Sequence, residues 1–200
     1  MIGVDEEDRP LLVMKRVDGT SWGSYVDAQG GLSCPDDEDP LEWHLRVLMQ
    51  VCQVAQYAHA YGLIHRDFKL ENVVIGQLGE VYVADWDLAL ATDPTLPLDI
   101  PLAVNETEVL GTPEYMAPEM VMIEAERFGP RTDIYLLGAC LHHILTGAPR
   151  HDGDSVIAKL YSAAQSAPFE YTESVPAELA SIANRAMDFD PAARYPLSLI

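Results

Sequence analysis

The sequence predicts an α+β fold that is mainly helical and carries a small β-hairpin region. Residues 41–61 have the clearest helical pattern, because apolar side chains recur at spacings of three and four. Residues 73–75 and 81–83 are β-branched or aromatic runs joined by Gly76-Gln77-Leu78-Gly79, a pattern typical of a hairpin. Residues 132–145 are largely apolar and predict a buried helix.

The elements before the hairpin follow from short boundary signals. Residues 11–14 form a β-type run that is bounded by a proline and by Asp18-Gly19. Residues 23–40 are rich in Gly, Asp, Ser and Pro and predict a loop, with a short helix near Trp22. Asp39-Pro40 is a start signal for the helix over 41–61, and Gly62 is a stop signal.

The second half of the chain alternates irregular and helical stretches. Residues 88–110 mix Pro, Thr and Asp without periodicity and predict an irregular segment. The buried helix over 132–145 follows, and residues 176–187 predict another helix. A chain of 200 residues suits one domain with a substantial core.

Composition excludes several function classes. The formal net charge is −20, so we expect no nucleic-acid partner, since a phosphate backbone would be repelled. The excess acid either attracts basic substrates or simply serves solubility. The three cysteines form no C-x-x-C pair, which favours reduced thiols and a cytoplasmic location. We see no signal peptide at the acidic N-terminus and expect no membrane span within this segment.

One loop carries the most chemical information. His65-Arg66-Asp67-Phe68-Lys69-Leu70-Glu71-Asn72 places an acid, a cation and an amide at the spacing H-R-D-x-K-x-x-N. Further blocks follow in order: Asp85-Trp86-Asp87, residues 111–119 (GTPEYMAPE), residues 133–138 (DIYLLG) and residues 190–195 (DPAARY). The set resembles the landmarks of eukaryotic-type serine/threonine protein kinases, in a bacterial style, from about Leu11 to Tyr195.

The resemblance implies a reaction and a set of roles. It implies transfer of the γ-phosphate of ATP to Ser or Thr of a protein substrate, with Mg²⁺. Asp67 matches the catalytic base and Lys69 the cation that contacts the γ-phosphate. Asn72 and Asp85 match the metal ligands, and oxygen ligands suit a hard cation. Thr112 matches the threonine that faces the acceptor residue and bonds the catalytic aspartate and lysine.

The resemblance also implies where the nucleotide lies and which part of a kinase the chain covers. Met14 matches the gatekeeper, Lys15 and Val17 match the hinge, and the region of Val74 would also help to hold the adenine. Residues 1–18 would be the last strand of the N-terminal lobe and the hinge, and residues 19–200 an incomplete C-terminal lobe. Most of the N-terminal lobe is absent from this stretch, so we expect residues 1–200 alone to be inactive.

Other matched residues have structural or regulatory roles in the family. Glu119 and Arg194 are expected to form a buried ion pair, and Asp133 to hold the backbone of the catalytic loop. His65 is expected to pack beneath the Asp-Trp-Asp turn. Arg66 predicts control by phosphorylation of the activation segment, residues 88–110. Thr107 is the preferred site, ahead of Thr95 and Thr92, and the neighbouring Glu108 is a possible permanent substitute for the phosphate.

Two features leave alternatives open. Asp87 stands where the family has glycine, and Trp86 where it has phenylalanine. Together with the absent lobe, Asp87 favours a pseudokinase or single-lobe scaffold as the alternative function. The D-W string also occurs in small-molecule kinases of the aminoglycoside-phosphotransferase type. Those enzymes lack the blocks at 111–119 and 190–194, so the protein-kinase interpretation is the stronger one.

Overall fold

The computed structural model describes residues 2–4, 10–12, 17–26, 31–35, 38–96 and 100–196. The longer helices are α1 (Pro40–Ala60), α3 (Pro130–Thr146), α4 (Val156–Gln165) and α5 (Ala177–Ala186), and α2 (Pro118–Met122) is short. The strands are β1 (Ile2–Val4), β2 (Pro10–Leu12), β3 (Gly19–Ser21), β4 (Leu63–Ile64), β5 (Val73–Gly76), β6 (Val81–Val83) and β7 (Leu90–Ala91). The α+β, mainly helical prediction agrees with this architecture.

Helix α1 begins and ends where its boundary residues require. The Asp39 carboxylate accepts a hydrogen bond from the Glu42 backbone N–H at 2.9 Å, and Pro40 occupies the first helical turn. Gly62, with φ of +70°, follows the last turn and donates its N–H to the His59 carbonyl at 2.9 Å. The chain then passes directly into the loop that carries Asp67.

Helix α3 is the centre of the core. It packs against both α1 and α5, and most of its residues are buried. Gly138 allows the close contact with α5, because a Cβ atom added there would lie 2.6 Å from the Ala186 Cβ. The buried helix predicted over 132–145 is therefore confirmed. Its glycine is required by the close packing against α5.

The predicted hairpin is confirmed and forms part of a larger sheet. Strands β5 and β6 pair antiparallel with Val74 opposite Tyr82, and β3 adds to the other edge of β5 with Ser21 opposite Val74. A separate pair, β4 with β7, brings Ile64 opposite Leu90. This pairing closes the segment between residues 64 and 90 into a loop that holds both His65–Asn72 and the Asp85 turn.

The structure departs from the predicted elements in three places. The segment 88–110, predicted to be irregular, contains β7 and a short 3-10 helix, Ala103–Asn105. Helix α4 has no counterpart among the predicted elements; its side chains are exposed or half-buried, and only Ala163 is buried. The strand predicted over 11–14 is described only as Pro10–Leu12, where it pairs with β1.

Candidate active site

Asp67 is the residue on which the site converges. Its side chain is almost fully buried and accepts hydrogen bonds from three side chains. Lys69 Nζ lies 2.7 Å from Oδ2, Asn72 Nδ2 lies 2.8 Å from the same oxygen, and Thr112 Oγ1 lies 2.7 Å from Oδ1. A carboxylate held at both oxygens in this way has a fixed orientation.

Lys69 and Thr112 are also linked to each other. Lys69 Nζ donates to Thr112 Oγ1 at 2.8 Å, so the ammonium bridges the threonine and the aspartate. The loop before α2 is thereby joined to the catalytic loop, although Thr112 and Asp67 are 45 positions apart in the chain. The three residues that the sequence predicted to cooperate do lie together.

Strained backbone marks both turns of the site. Arg66 has φ of +68° and Asp85 has φ of +63°, a conformation that is uncommon for residues other than glycine. Buried Asp133 supports the first turn, accepting from the Arg66 and His65 backbone N–H groups at 2.9 Å each. His59 Nε2 donates to the same carboxylate at 2.6 Å. Asp133 therefore holds the catalytic-loop backbone as the sequence predicted.

His65 packs beneath the Asp85 turn. Its Nε2 donates to the Ala84 carbonyl at 3.1 Å, and its ring stacks on Phe68 and meets the Trp86 ring edge at 4.5 Å between centroids. Its Nδ1 accepts from the Asp67 backbone N–H at 3.2 Å. Burial lowers the pKa of His65 below its usual value, despite nearby carboxylates that raise it. The neutral ring thus packs between the turn at Arg66 and the turn at Asp85.

Asn72 and Asp85 offer the oxygen atoms for a metal ion. The Ala84 backbone N–H donates to the Asn72 carbonyl at 2.8 Å, which sets the exposed Asp85 side by side with the catalytic loop. Both side-chain hydrogen bonds described for Asn72 use its amide nitrogen, so the amide oxygen is the atom suited to a cation. An amide and a carboxylate oxygen fit the preference of Mg²⁺.

Asp87 imposes no backbone strain at the position where the family has glycine. The positive φ of this turn belongs to Asp85, while Asp87 lies outside the positive-φ residues and is exposed. Trp86 occupies the phenylalanine position and anchors the turn, because its Nε1 donates to the Val83 carbonyl at 3.1 Å. Both departures are therefore accommodated without distorting the Asp67 cluster.

Glu119 and Arg194 form a buried ion pair that supports the site. Arg194 donates from both terminal nitrogens to the two Glu119 oxygens, at 2.7 and 2.8 Å, and both side chains are fully buried. Arg194 also donates to the Arg131 and Asp188 carbonyls and lies over the Tyr135 ring. The predicted contact between residues 75 positions apart is confirmed.

The nucleotide-side residues are only partly described. Met14 and Lys15 lie outside the described residues. Val17 and Val74 are both half-buried, and β3, which begins two residues after Val17, pairs with the strand that carries Val74. Val17 therefore lies just before the strand that pairs with the strand of Val74.

Sequence reasoning missed two residues close to the site. His59 supports Asp133, and a lone histidine at the end of an amphipathic helix carries no signal of that role. Glu106 forms an ion pair with Arg66 at 2.5 Å, whereas Thr107 and Glu108, the predicted partners, are exposed. The sequence shows several acidic residues in the activation segment, but their spacing does not indicate which of them pairs with Arg66.

The chain belongs to the protein kinase family, since the protein kinase domain family matches residues 3–199. It is 32% identical over 195 residues to the probable serine/threonine-protein kinase PknB of Bifidobacterium longum, covering 96% of this chain and 26% of that protein. It is 31% identical to PknB of Mycolicibacterium smegmatis, with 93% and 28% covered. PknD of Chlamydia abortus is 33% identical over 171 residues, with 76% and 17% covered.

These similarities define the class as a protein kinase domain, and the bacterial relatives that it matches are named serine/threonine-protein kinases. The chain spans 26% to 28% of the length of the PknB relatives that it matches. No helix in the described part of the chain is both long enough and apolar enough to cross a membrane.

Proposed function

We propose that the protein transfers the γ-phosphate of ATP to the hydroxyl of a serine or threonine in a protein substrate, with Mg²⁺. The observation that carries the proposal is the buried Asp67 carboxylate, held by Lys69, Asn72 and Thr112. A fixed carboxylate beside a fixed ammonium suits phosphoryl transfer, in which catalysis consists mainly of positioning and charge stabilisation.

Each side chain has a role in the proposed reaction. Asp67 accepts a hydrogen bond from the substrate hydroxyl, orients its oxygen towards the γ-phosphorus and takes its proton, while the bond to the departing ADP breaks. Lys69 compensates the charge on the phosphoryl oxygens. Thr112 keeps both groups in register and faces the acceptor. When bound to Asn72 and Asp85, Mg²⁺ would neutralise charge on the phosphates.

We further propose the lobe assignment that the resemblance implies. Residues 1–18 correspond to the last N-terminal-lobe strand and the hinge, and residues 19–200 to the C-terminal lobe. The small sheet next to Val17 and the helical body centred on α3 support this division. In this assignment the half-buried Val17 and Val74 face the adenine, and an N-terminal lobe covers the nucleotide. The three cysteines are scattered along the chain and form no C-x-x-C pair, which supports a cytoplasmic location.

The test is phosphate incorporation by the complete gene product, with radiolabelled γ-phosphate of ATP and with the protein itself, casein and histone as acceptors. We expect label on Ser or Thr, and Asp67→Asn should reduce the rate by about 10²- to 10⁴-fold, the usual contribution of a general base. Asp154→Asn is the matched control, because Asp154 is exposed on the loop before α4. Calorimetry with Mg-ATP separates binding from transfer.

Three results would contradict the proposal. Equal rates for the wild type and Asp67→Asn would refute the role of Asp67. A wild type that binds Mg-ATP but transfers nothing would support the scaffold alternative instead. Label on an added aminoglycoside but on no protein acceptor would indicate a small-molecule phosphotransferase.

A further inference from the structure

The Arg66 guanidinium is buried directly beside the catalytic residue and has an acidic partner. Its side chain is 2% exposed, and Nη1 lies 2.5 Å from Glu106 Oε2, on a side chain that is 10% exposed. The guanidinium also lies over the Phe128 ring, 5.3 Å from its centroid. A buried cation is costly unless it is paired, so Glu106 supplies the charge that this position needs.

Glu106 also shapes the loop that it belongs to. Its second oxygen, Oε1, accepts from the backbone N–H groups of Thr107 at 2.8 Å and Glu108 at 2.9 Å. Burial raises the pKa of Glu106, but the hydrogen bonds from Glu108, Arg66 and Thr107 outweigh it and leave the pKa below its usual value. The carboxylate thus stays ionised and holds a turn of the activation segment against Arg66.

Two connections run from this ion pair to the Asp67 carboxylate. The first is covalent: Arg66 precedes Asp67, and its backbone N–H is already fixed by Asp133 Oδ1 at 2.9 Å. The second runs along the loop: the turn at 106–108 lies a few residues before Thr112, whose hydroxyl donates to Asp67 at 2.7 Å. Glu106 therefore ties together the two segments whose side chains meet at the catalytic carboxylate.

Because Arg66 is already paired with Glu106, a phosphate on the activation segment would gain little from this arginine. Phosphorylation of an activation segment works by placing a new anion opposite an arginine. Here the arginine already has its anion, in a nearly closed environment, and the Thr107 side chain is exposed. A phosphate on Thr107 would add negative charge next to Glu106 and Glu108 without an uncompensated Arg66 to receive it.

We propose that Glu106 is a positioning residue that permanently orders the activation segment, so that catalysis requires no phosphate on that segment. The inference rests on the proposed kinase activity and assigns to Glu106 the role that the sequence suggested for phosphorylated Thr107 or for Glu108.

The first experiment measures kcat and KM of the complete gene product before and after phosphatase treatment, with mass spectrometry of residues 88–110 to establish that no phosphate remains. We expect the dephosphorylated enzyme to keep its activity within about twofold. Glu106→Gln should lower kcat at least about tenfold, a loss equivalent to about 1.4 kcal/mol of transition-state stabilisation. The KM for ATP should change little, because the pair contacts the catalytic loop.

Three further variants distinguish positioning from a general loss of folding. Glu108→Gln removes the same charge two residues away and should behave as the wild type. Glu106→Asp keeps the charge and should recover part of the lost kcat. In an Arg66→Met background, Glu106→Gln should have little further effect, since the partner of the carboxylate is gone. Melting temperatures are measured for every variant.

The outcomes separate this inference from the proposed function. Loss of activity on phosphatase treatment, with recovery on rephosphorylation, overturns the inference but leaves the kinase activity intact. The same conclusion follows if a folded Glu106→Gln variant matches the wild type. If Glu106→Gln fails to fold, the activity of the dephosphorylated wild type still shows whether catalysis requires a phosphate on the activation segment. A wild type without any transfer overturns the proposed function, and this inference with it.

Discussion

At the scale of single residues, the hydroxyl of Thr112 is what closes the site around Asp67. It donates to Asp67 at 2.7 Å while accepting from Lys69 at 2.8 Å, so one oxygen fixes an anion and a cation relative to each other. Without it, the carboxylate would keep only the contacts that bind Oδ2. The rotation of the carboxylate would then be less restricted, and the proposed base would have a less fixed orientation.

Thr112→Val tests this role, because valine keeps the shape of threonine and removes only the hydroxyl. We expect kcat to fall about tenfold or more, corresponding to the loss of a hydrogen bond to a charged group at about 1.5–3 kcal/mol. Thr112→Ser restores the hydroxyl and should recover most of the rate. Thr172→Val, on an exposed loop, is the control. An unchanged kcat in a folded Thr112→Val variant would show that the hydroxyl is dispensable.

The residue scale also shows what sequence spacing can and cannot predict. The motif H-R-D-x-K-x-x-N fixes Asp67, Lys69 and Asn72 close together in the sequence, and the structure brings Lys69 Nζ and Asn72 Nδ2 to 2.7 and 2.8 Å from Asp67 Oδ2. Glu106 could not be chosen over Glu108 in the same way. Which acid faces Arg66 depends on the turn at 106–108, whose geometry is set by hydrogen bonds that leave no sequence pattern.

At the scale of elements, the Glu119–Arg194 pair fastens α2 to the end of the chain beyond α5. Arg194 follows the short 3-10 helix Pro191–Ala193, and its guanidinium reaches three backbone carbonyls besides Glu119. The loop with Thr112 leads directly into α2, which begins at Pro118. The pair thus braces the segment that presents Thr112 to the catalytic loop.

Glu119→Gln should therefore destabilise the protein strongly. It leaves a fully buried guanidinium without its anion, a change that typically costs about 3–5 kcal/mol. Urea unfolding at constant m-value measures this loss. Glu38→Gln is the control: it breaks an ion pair with Arg46 that is largely exposed, and we expect little change in midpoint. A Glu119→Gln midpoint equal to the wild type would show that the pair contributes nothing to stability.

Helix α1 was predictable from its boundary residues and its apolar stripe, whereas helix α4 was not predicted although Ser155 caps its first turn. Helix α1 combines Asp39, Pro40 and Gly62 with a continuous apolar stripe, and the structure begins and ends it within one residue of the prediction. Helix α4 starts at a Ser155 cap and buries only Ala163 among its side chains. Its position is determined by contacts with α2 and by the Lys159–Glu114 ion pair, neither of which is visible in a periodicity.

At the scale of the whole molecule, the interior holds histidines that folding keeps neutral. Burial, with a smaller contribution from the Arg150 charge, lowers the pKa of His142 and His151 to about 3. Burial also lowers the pKa of His44, His65 and His143. Since an unfolded histidine titrates near pH 6.5, the unfolded state binds more protons than the folded state as the pH falls below that value.

The stability of the molecule should consequently decrease on mild acidification. Stabilisation from these neutral histidines is fully present above about pH 6.5 and is lost progressively as the pH falls towards the depressed folded-state values, by up to about 1.4 kcal/mol per pH unit for each histidine. Between pH 7.5 and 5.5 ordinary carboxylates, with pKa values near 4, stay ionised, so the net charge of −20 opposes this trend little.

The measurement is the free energy of unfolding at several pH values in that range, for the wild type, His142→Phe and Tyr171→Phe. His142→Phe keeps a ring against Phe169 but removes one titrating group, so its slope with pH should be shallower by about one proton. Tyr171→Phe removes the hydroxyl that bonds His142 at 2.9 Å without removing a group that titrates there, so it should lower stability but keep most of the slope. Parallel slopes for the wild type and His142→Phe would contradict the assignment, because they would mean that His142 takes up no proton on unfolding.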